Sequence, residues 1–70
     1  MSWKAEVLVG GDTKWYDNGL RFVGKLEAMA YGNDLADRWT SVREVRVAES
    51  EDQVTHNWAA GRALRIEEQP

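Results

Sequence analysis

Hydrophobic and polar positions change period twice along this chain. Over residues 3–9 they alternate: Trp3, Ala5, Val7 and Val9 fall on one side, Lys4, Glu6 and Leu8 on the other. Period two marks a strand with one buried face. Leu8 interrupts the polar side and predicts that the second face is partly covered. Gly10-Gly11-Asp12-Thr13 is a turn by composition, since glycine supplies a positive φ without steric cost. A short run over 14–17 follows, so the first two elements predict an antiparallel hairpin. Trp15 and Tyr16 then point to opposite faces, one into the core and the other outward or beneath another element. Asp17-Asn18-Gly19 is a second turn signal, with Asn-Gly suited to a type I′ geometry. Leu20-Arg21-Phe22 is either a third strand or a continuation of the second after a bulge. Continuation is favoured, with Phe22 packing down as the chain enters a helix.

The period becomes 3.6 in the stretch FVGKLEAMAYGNDLADRW, residues 22–39. A helix is predicted from Lys25 to Arg38 or Trp39. Ala28, Tyr31, Gly32, Leu35 and Trp39 form one apolar stripe to lay on a sheet, and Lys25, Asn33, Asp34 and Asp37 face away. Gly24 takes the N-cap without offering a side-chain oxygen. Gly32 inside the helix costs about 1 kcal/mol against alanine, which predicts close approach of a strand or ring. Leu26 and Met29 fall off the stripe and are candidates for a contact surface.

Period two then resumes. Val45 and Val47 oppose Glu44, Arg46 and Ala48 in a strand over 42–49, and 50–53 is a polar connection. Residues 54–58 are mixed, Ala59-Ala60-Gly61 can turn, and 62–66 alternate again, which fits a C-terminal hairpin or extended arm. The expected fold is α+β: a small antiparallel sheet in β-β-α-β order, one helix across one face, and that arm. The expected boundaries are one domain over 1–66 and a frayed tail over 67–70. The second sheet face, with Leu8 and either Trp15 or Tyr16, needs a cover. Either the arm supplies it through Trp58, Leu64 and Ile66, or a second copy of the chain does.

Composition narrows the function classes. Seventy residues make one small domain, which buries only roughly 60% of its unfolded surface. With no cysteine and a single histidine, neither a disulfide nor a thiolate metal site supports the core. Four tryptophans supply much of the apolar area. The net charge is −3 with both signs interleaved, unlike the basic footprint of a nucleic-acid binder. No apolar run approaches a membrane span. Residues 1–10 lack a basic region followed by an apolar one, so a cytoplasmic protein is expected.

No set of residues predicts catalysis, and no cofactor or metal is expected. His56 lacks a partnered nucleophile or an orienting carboxylate, and an ordinary turn histidine is favoured by roughly 10 to 1. Glu49, Glu51 and Asp52 lack the spacing of a calcium loop. Gly10-Gly11 precedes a strand and lacks the lysine and helix of a phosphate-binding loop. Arg38, Arg43 and Arg46 are the only local basic density; with tryptophan they could stack bases, but Glu44 and Glu49 are interleaved.

A resemblance enters with Trp15-Tyr16, Asn18, Leu20-Arg21-Phe22, Glu27-Ala28, Ala30-Tyr31, Asp34-Leu35, Arg38-Trp39, Val42, Arg46-Val47 and Glu49-Ser50. Over residues 3–58 the chain resembles a group of small uncharacterised phage and bacterial proteins. Their pattern is WY-x-N-x-LRF, then EA-x-AY-x-x-DL-x-x-RW, then V-x-x-x-RV-x-ES. Members often carry Asp-Pro-Val where this chain has Asp52-Gln53-Val54, and a threonine near Gly24. The resemblance implies no activity, but it points to a phage-type accessory protein. The expectation is a non-enzymatic protein-binding module that inhibits or modulates a host protein complex by surface blocking, as anti-CRISPR and anti-defence inhibitors do. Trp15, Tyr16, Leu26, Met29, Glu49, Glu51 and Asp52 are the candidate contact residues. The alternatives are a structural homo-oligomer such as a homodimer, or weak nucleic-acid binding through Arg38, Arg43 and Arg46.

Overall fold

Strand β1 (Ser2–Val9) is the centre of the architecture. In the computed structural model, which describes residues 1–11 and 13–66, it pairs antiparallel with β2 (Trp15–Tyr16) on one edge and β3 (Val42–Ser50) on the other. Helix α1 (Lys25–Arg38) lies across β1 and β3. Strands β4 (His56–Ala59) and β5 (Arg62–Arg65) form a separate hairpin. The chain therefore adopts the α+β class and the β-β-α-β order that its periodicity predicts, with the C-terminal arm folded as a hairpin.

The alternation of β1 and β3 decides which side chains meet the helix. Ala5 pairs with Val47 and Val7 with Val45, and these face α1; Ala5 and Val7 are buried. Leu8 pairs with Glu44 but Val9 with Val42, so Arg43 is an extra residue and β3 bulges there. On the other edge, β2 is shorter than the four-residue run expected: only Trp15 and Tyr16 pair, with Leu8 and Val7. The chain then leaves the sheet and returns at Phe22, which exchanges backbone hydrogen bonds of 2.7 and 2.8 Å with Trp3. This edge therefore continues after a bulge, as the spacing predicts.

Phe22 and Ala28 are fully buried, with Tyr31 beside them. The Phe22 and Tyr31 rings lie 5.4 Å apart, and Trp58 stands edge-on to Tyr31 at 6.3 Å. Gly32 is where the helix touches the sheet. A Cβ there would overlap Val45 Cγ1 and come within 3.2 Å of Ala5 Cβ. The close approach expected of this glycine is with strands, and glycine is required for want of space rather than for its dihedral freedom.

Two expectations are corrected. Trp39 does not complete the buried stripe. It is the C-cap, with φ −118° and ψ 96°, so its side chain leaves the helical line and is 41% exposed. The C-terminal arm does not cover the far face of the sheet. The hairpin docks beside α1 on the helix side, through Trp58 and Ala63. Among the described residues after β3, Asp52 in the connection 51–54 reaches the far-side charges, through Arg21. Ser50 pairs on one edge of β1, while Thr55 and His56 bond to Arg21 beyond the other. The connection therefore crosses the N-terminal end of β1, where Ser2 is buried. Asp12 and the tail 67–70 lie outside the described residues.

Candidate functional site

The face of the sheet away from the helix is closed by charge. Arg46 Nε donates to Glu6 Oε1 at 2.7 Å, and its guanidinium lies 4.0 Å above the Trp15 ring. Lys4 Nζ stands 3.6 Å from Glu6 and 3.8 Å from Asp17. Arg21 joins Asp17 at 3.1 Å and Asp52 at 3.0 Å. Six side chains of alternating sign thus run across the strands, and the first of them, Arg46, covers Trp15. Partial burial pushes the Asp17 carboxyl up, but the Gly19 N–H and the Arg21 and Lys4 cations outweigh it and hold it below the usual carboxylate range. Arg21 holds Asp52 low as well, first through its hydrogen bond. Partial burial works against the Arg21 charge, but the bonds to Asp17 and Asp52 raise its pKa.

The hairpin is fixed to this body at few points. Thr55 and His56 both donate their N–H to the Arg21 carbonyl, at 2.9 and 3.0 Å, and the Arg21 N–H donates to Thr55 Oγ1 at 2.9 Å. The Trp58 N–H donates to Glu27 Oε1 at 2.9 Å. Asn18 Nδ2 donates to Tyr31 Oη at 2.6 Å, holding the ring on which Trp58 rests. His56 Nδ1 lies 2.7 Å from Thr55 Oγ1, and its ring packs 6.3 Å from Phe22. It is a half-buried packing residue at the start of β4.

The candidate contact residues fall into two groups. β2 pairs with Val7 and Leu8, so Trp15 and Tyr16 sit at the C-terminal end of β1. Trp15 is on the charged face under Arg46. Tyr16 is on the helix-side face but beyond the helix and exposed, with Lys14 Nζ 5.9 Å from its ring centre. Neither enters the core. The second group is at the opposite end. Lys25 Nζ stands 5.8 Å from the Trp3 ring centre, so α1 starts over the N-terminal end of β1, where Trp3 pairs with Glu49. Leu26, 84% exposed, lies at this end with Glu49, Glu51 and the exposed Met1 and Val23. Met29 is half-buried one turn along the helix. Asp52 is exposed, but its carboxylate is held by Arg21.

Arg38, Arg43 and Arg46 do not converge. Arg46 is drawn across the far face, Arg43 is the bulge residue beside Gly10, and Arg38 ends the helix, bonded to Asp34 at 2.8 Å. Arg38 instead shares a groove with Arg62 of β5. Sequence reasoning gave Arg62 no role. An arginine directly after a hairpin turn has no local signal; the docking of Trp58 brings it near the helix.

Among the described residues no group of three or more His, Cys, Asp and Glu side chains could hold a metal ion, and no helix is long and apolar enough to cross a membrane. Comparisons with models of protein families, with curated proteins and with solved structures find no match.

Proposed function

We propose that the protein is a non-enzymatic binding module whose contact surface is the end carrying Met1, Val23 and Leu26. The observation that carries this reading is the exposure of three large apolar side chains, at 81%, 63% and 84%, at one end of the molecule. Apolar anchors surrounded by a polar rim are the working part of most protein interfaces. Glu49 and Glu51 put two carboxylates on this rim, beside the exposed Lys25. The fitting partner is a protein with an apolar pocket bordered by basic residues, steered by opposite charge. The resemblance to phage proteins supports a host protein or complex, inhibited or modulated by occupation of its surface in the host cytoplasm. Trp15 and Tyr16 stand at the other end of β1 and are outside this surface.

Affinity capture from host lysate tests the proposal when three baits are compared. The unaltered chain retains a partner that Leu26→Asp and the Glu49→Lys/Glu51→Lys double variant both lose. Equal retention by all three sinks the reading. A second reading, self-association, is favoured by β3. Among the described residues this strand pairs only with β1, which leaves one edge open. Such an edge can accept another strand. Light scattering at micromolar concentration decides it, and a monomer mass removes it.

A further inference from the structure

We propose that the groove between α1 and the β4–β5 hairpin is a binding site for a small planar aromatic anion, of the size of one nucleoside monophosphate. This site lies apart from the apolar end described above, and neither proposal depends on the other.

The groove has a volume of about 340 Å³, with Tyr31, Asp34 and Arg38 on the helix side and Trp58, Arg62 and Ala63 on the hairpin side. That is near the lower end of small-molecule sites, which run from roughly 300 to 1,000 Å³. One ring system with one anionic group fits; a dinucleotide does not. The aromatic lining is fixed before any ligand arrives. Tyr31 is held by Asn18, and Trp58 is held through its backbone by Glu27 and through its ring by Tyr31. Ala63 is the cross-strand partner of Trp58, and both are partly buried where they line the groove.

The electrostatics supply the second half of the recognition. Arg38 and Arg62 bring one guanidinium to each wall, in a chain whose net charge is −3. Asp34 bonds one terminal nitrogen of Arg38. It therefore orients that guanidinium while leaving its other donors open, and a guanidinium fork can hold two acceptors at once. Arg38 sits in the last helical turn, where part of its charge answers the helix dipole. Arg62 is exposed and has no ion-pair partner among the described residues. It is the less committed cation and the one on which anion binding most depends. Aromatic rings beside arginine are how proteins stack nucleobases. A continuing strand would need a basic track beyond the groove. Arg46 is bound to Glu6 on the far face of the sheet, and the helix beside the groove carries Asp34 and Asp37, so a single nucleotide is favoured over a polymer.

The test is a titration of the isotopically labelled full chain, followed by amide and indole resonances. Adenosine monophosphate, adenosine, inorganic phosphate and an oligothymidylate are added in separate arms. The expected result is saturable shifts at the Trp58 indole and the Gly61–Arg62 amides with the monophosphate. Adenosine and phosphate alone bind at least about tenfold more weakly, because each lacks one half of the recognition. Arg62→Glu removes the shifts and Arg62→Lys weakens them, with the rest of the spectrum unchanged. The proposal is overturned by any of four outcomes. These are no shift at millimolar monophosphate, phosphate alone binding as well as the nucleotide, shifts confined to residues outside the groove, or tighter binding of the oligonucleotide with the same resonances moved.

Discussion

The two faces of the central sheet solve one problem in different ways. On the helix side, Ala5, Val7, Val45 and Val47 meet α1 closely enough that residue 32 has no room for a side chain. On the far side, Arg46 lies over Trp15 and is tied through Glu6, Lys4, Asp17 and Arg21 to Asp52. Both faces keep water from apolar groups. The first does so by interdigitation, which is short-range and insensitive to ions. The second does so with long side chains that lay their stems over the strands and pair their charged ends. The comparison teaches that a three-stranded sheet need not find a second layer if its charges alternate across the strands.

The largest test of this contrast is Phe22→Ala. It empties the centre of the helix side and should cost roughly 3–5 kcal/mol in urea denaturation, enough to leave so small a domain largely unfolded. Gly32→Ala is sharper. The new methyl gains about 1 kcal/mol of helix propensity but collides with the stiff Val45 side chain, and overpacking costs roughly 1–3 kcal/mol. A net loss is expected, with recovery when Val45→Ala is added. A stable single variant would mean that the helix side is looser than its geometry.

The far face should answer more weakly and through salt. Arg21→Ala removes the ion pairs to Asp17 and Asp52. Such pairs stabilise weakly and are screened by ions, so a loss well below that of Phe22→Ala is expected, shrinking in concentrated sodium chloride while the Phe22 effect does not. Acid gives the same face a second readout. The folded-state pKa of Asp17 is below its ordinary 3.8, so its contribution is fully present above the unfolded value and disappears as pH falls through the folded one. Asp17→Asn should therefore narrow the stability difference between neutral pH and the region below about pH 4. An unchanged acid profile would remove Asp17 from the ladder.

The smallest effect expected is at the hairpin, which belongs to neither face. Ala60 and Gly61 have φ of 54° and 75°, the two positive values of a type I′ turn. Alanine is strained there and asparagine is not. Ala60→Asn should stabilise by about 0.5–1 kcal/mol, additively with Arg21→Ala. Non-additivity would mean that the hairpin and the far face are one cooperative unit.

Much of this fold could be read from the chain because period is a local property. Val7 and Val45 sit at alternating positions, Ala28 and Tyr31 at helical ones, and each pattern names its own element. The helix limits and the close approach at Gly32 follow from the same logic. What escaped depends on pairs far apart in sequence. The Trp58 N–H meets Glu27 and the Arg21 carbonyl meets Thr55, each across more than thirty residues, and no periodicity records such a bond. Periodicity therefore leaves the arm free to cover the far face of the sheet, one of two covers it allows, and does not show that it docks beside the helix. Trp39 was placed on the stripe by counting, although the helix ends one residue before it. Proximity in sequence grouped Arg38 with Arg43 and Arg46, whereas the turn after Trp39 and the bulge at Arg43 separate them. The same docking that escaped notice created the groove and gave Arg62 a neighbour.

The double acceptance by the Arg21 carbonyl has a consequence for the order in which this molecule assembles. The carbonyl is held in place by the neighbouring bridge between Phe22 and Trp3, and that bridge needs β1 in position. The hairpin's other ties, the Trp58 N–H to Glu27 and the Trp58 ring to Tyr31, also end on that body, so the hairpin should dock after it and open before it. Amide exchange should show this as a hierarchy, with β4 and β5 exchanging from partly opened molecules and β1 only from globally unfolded ones. A ligand that spans the groove touches both tiers at once, and its occupancy would be recorded as slower exchange in the hairpin alone.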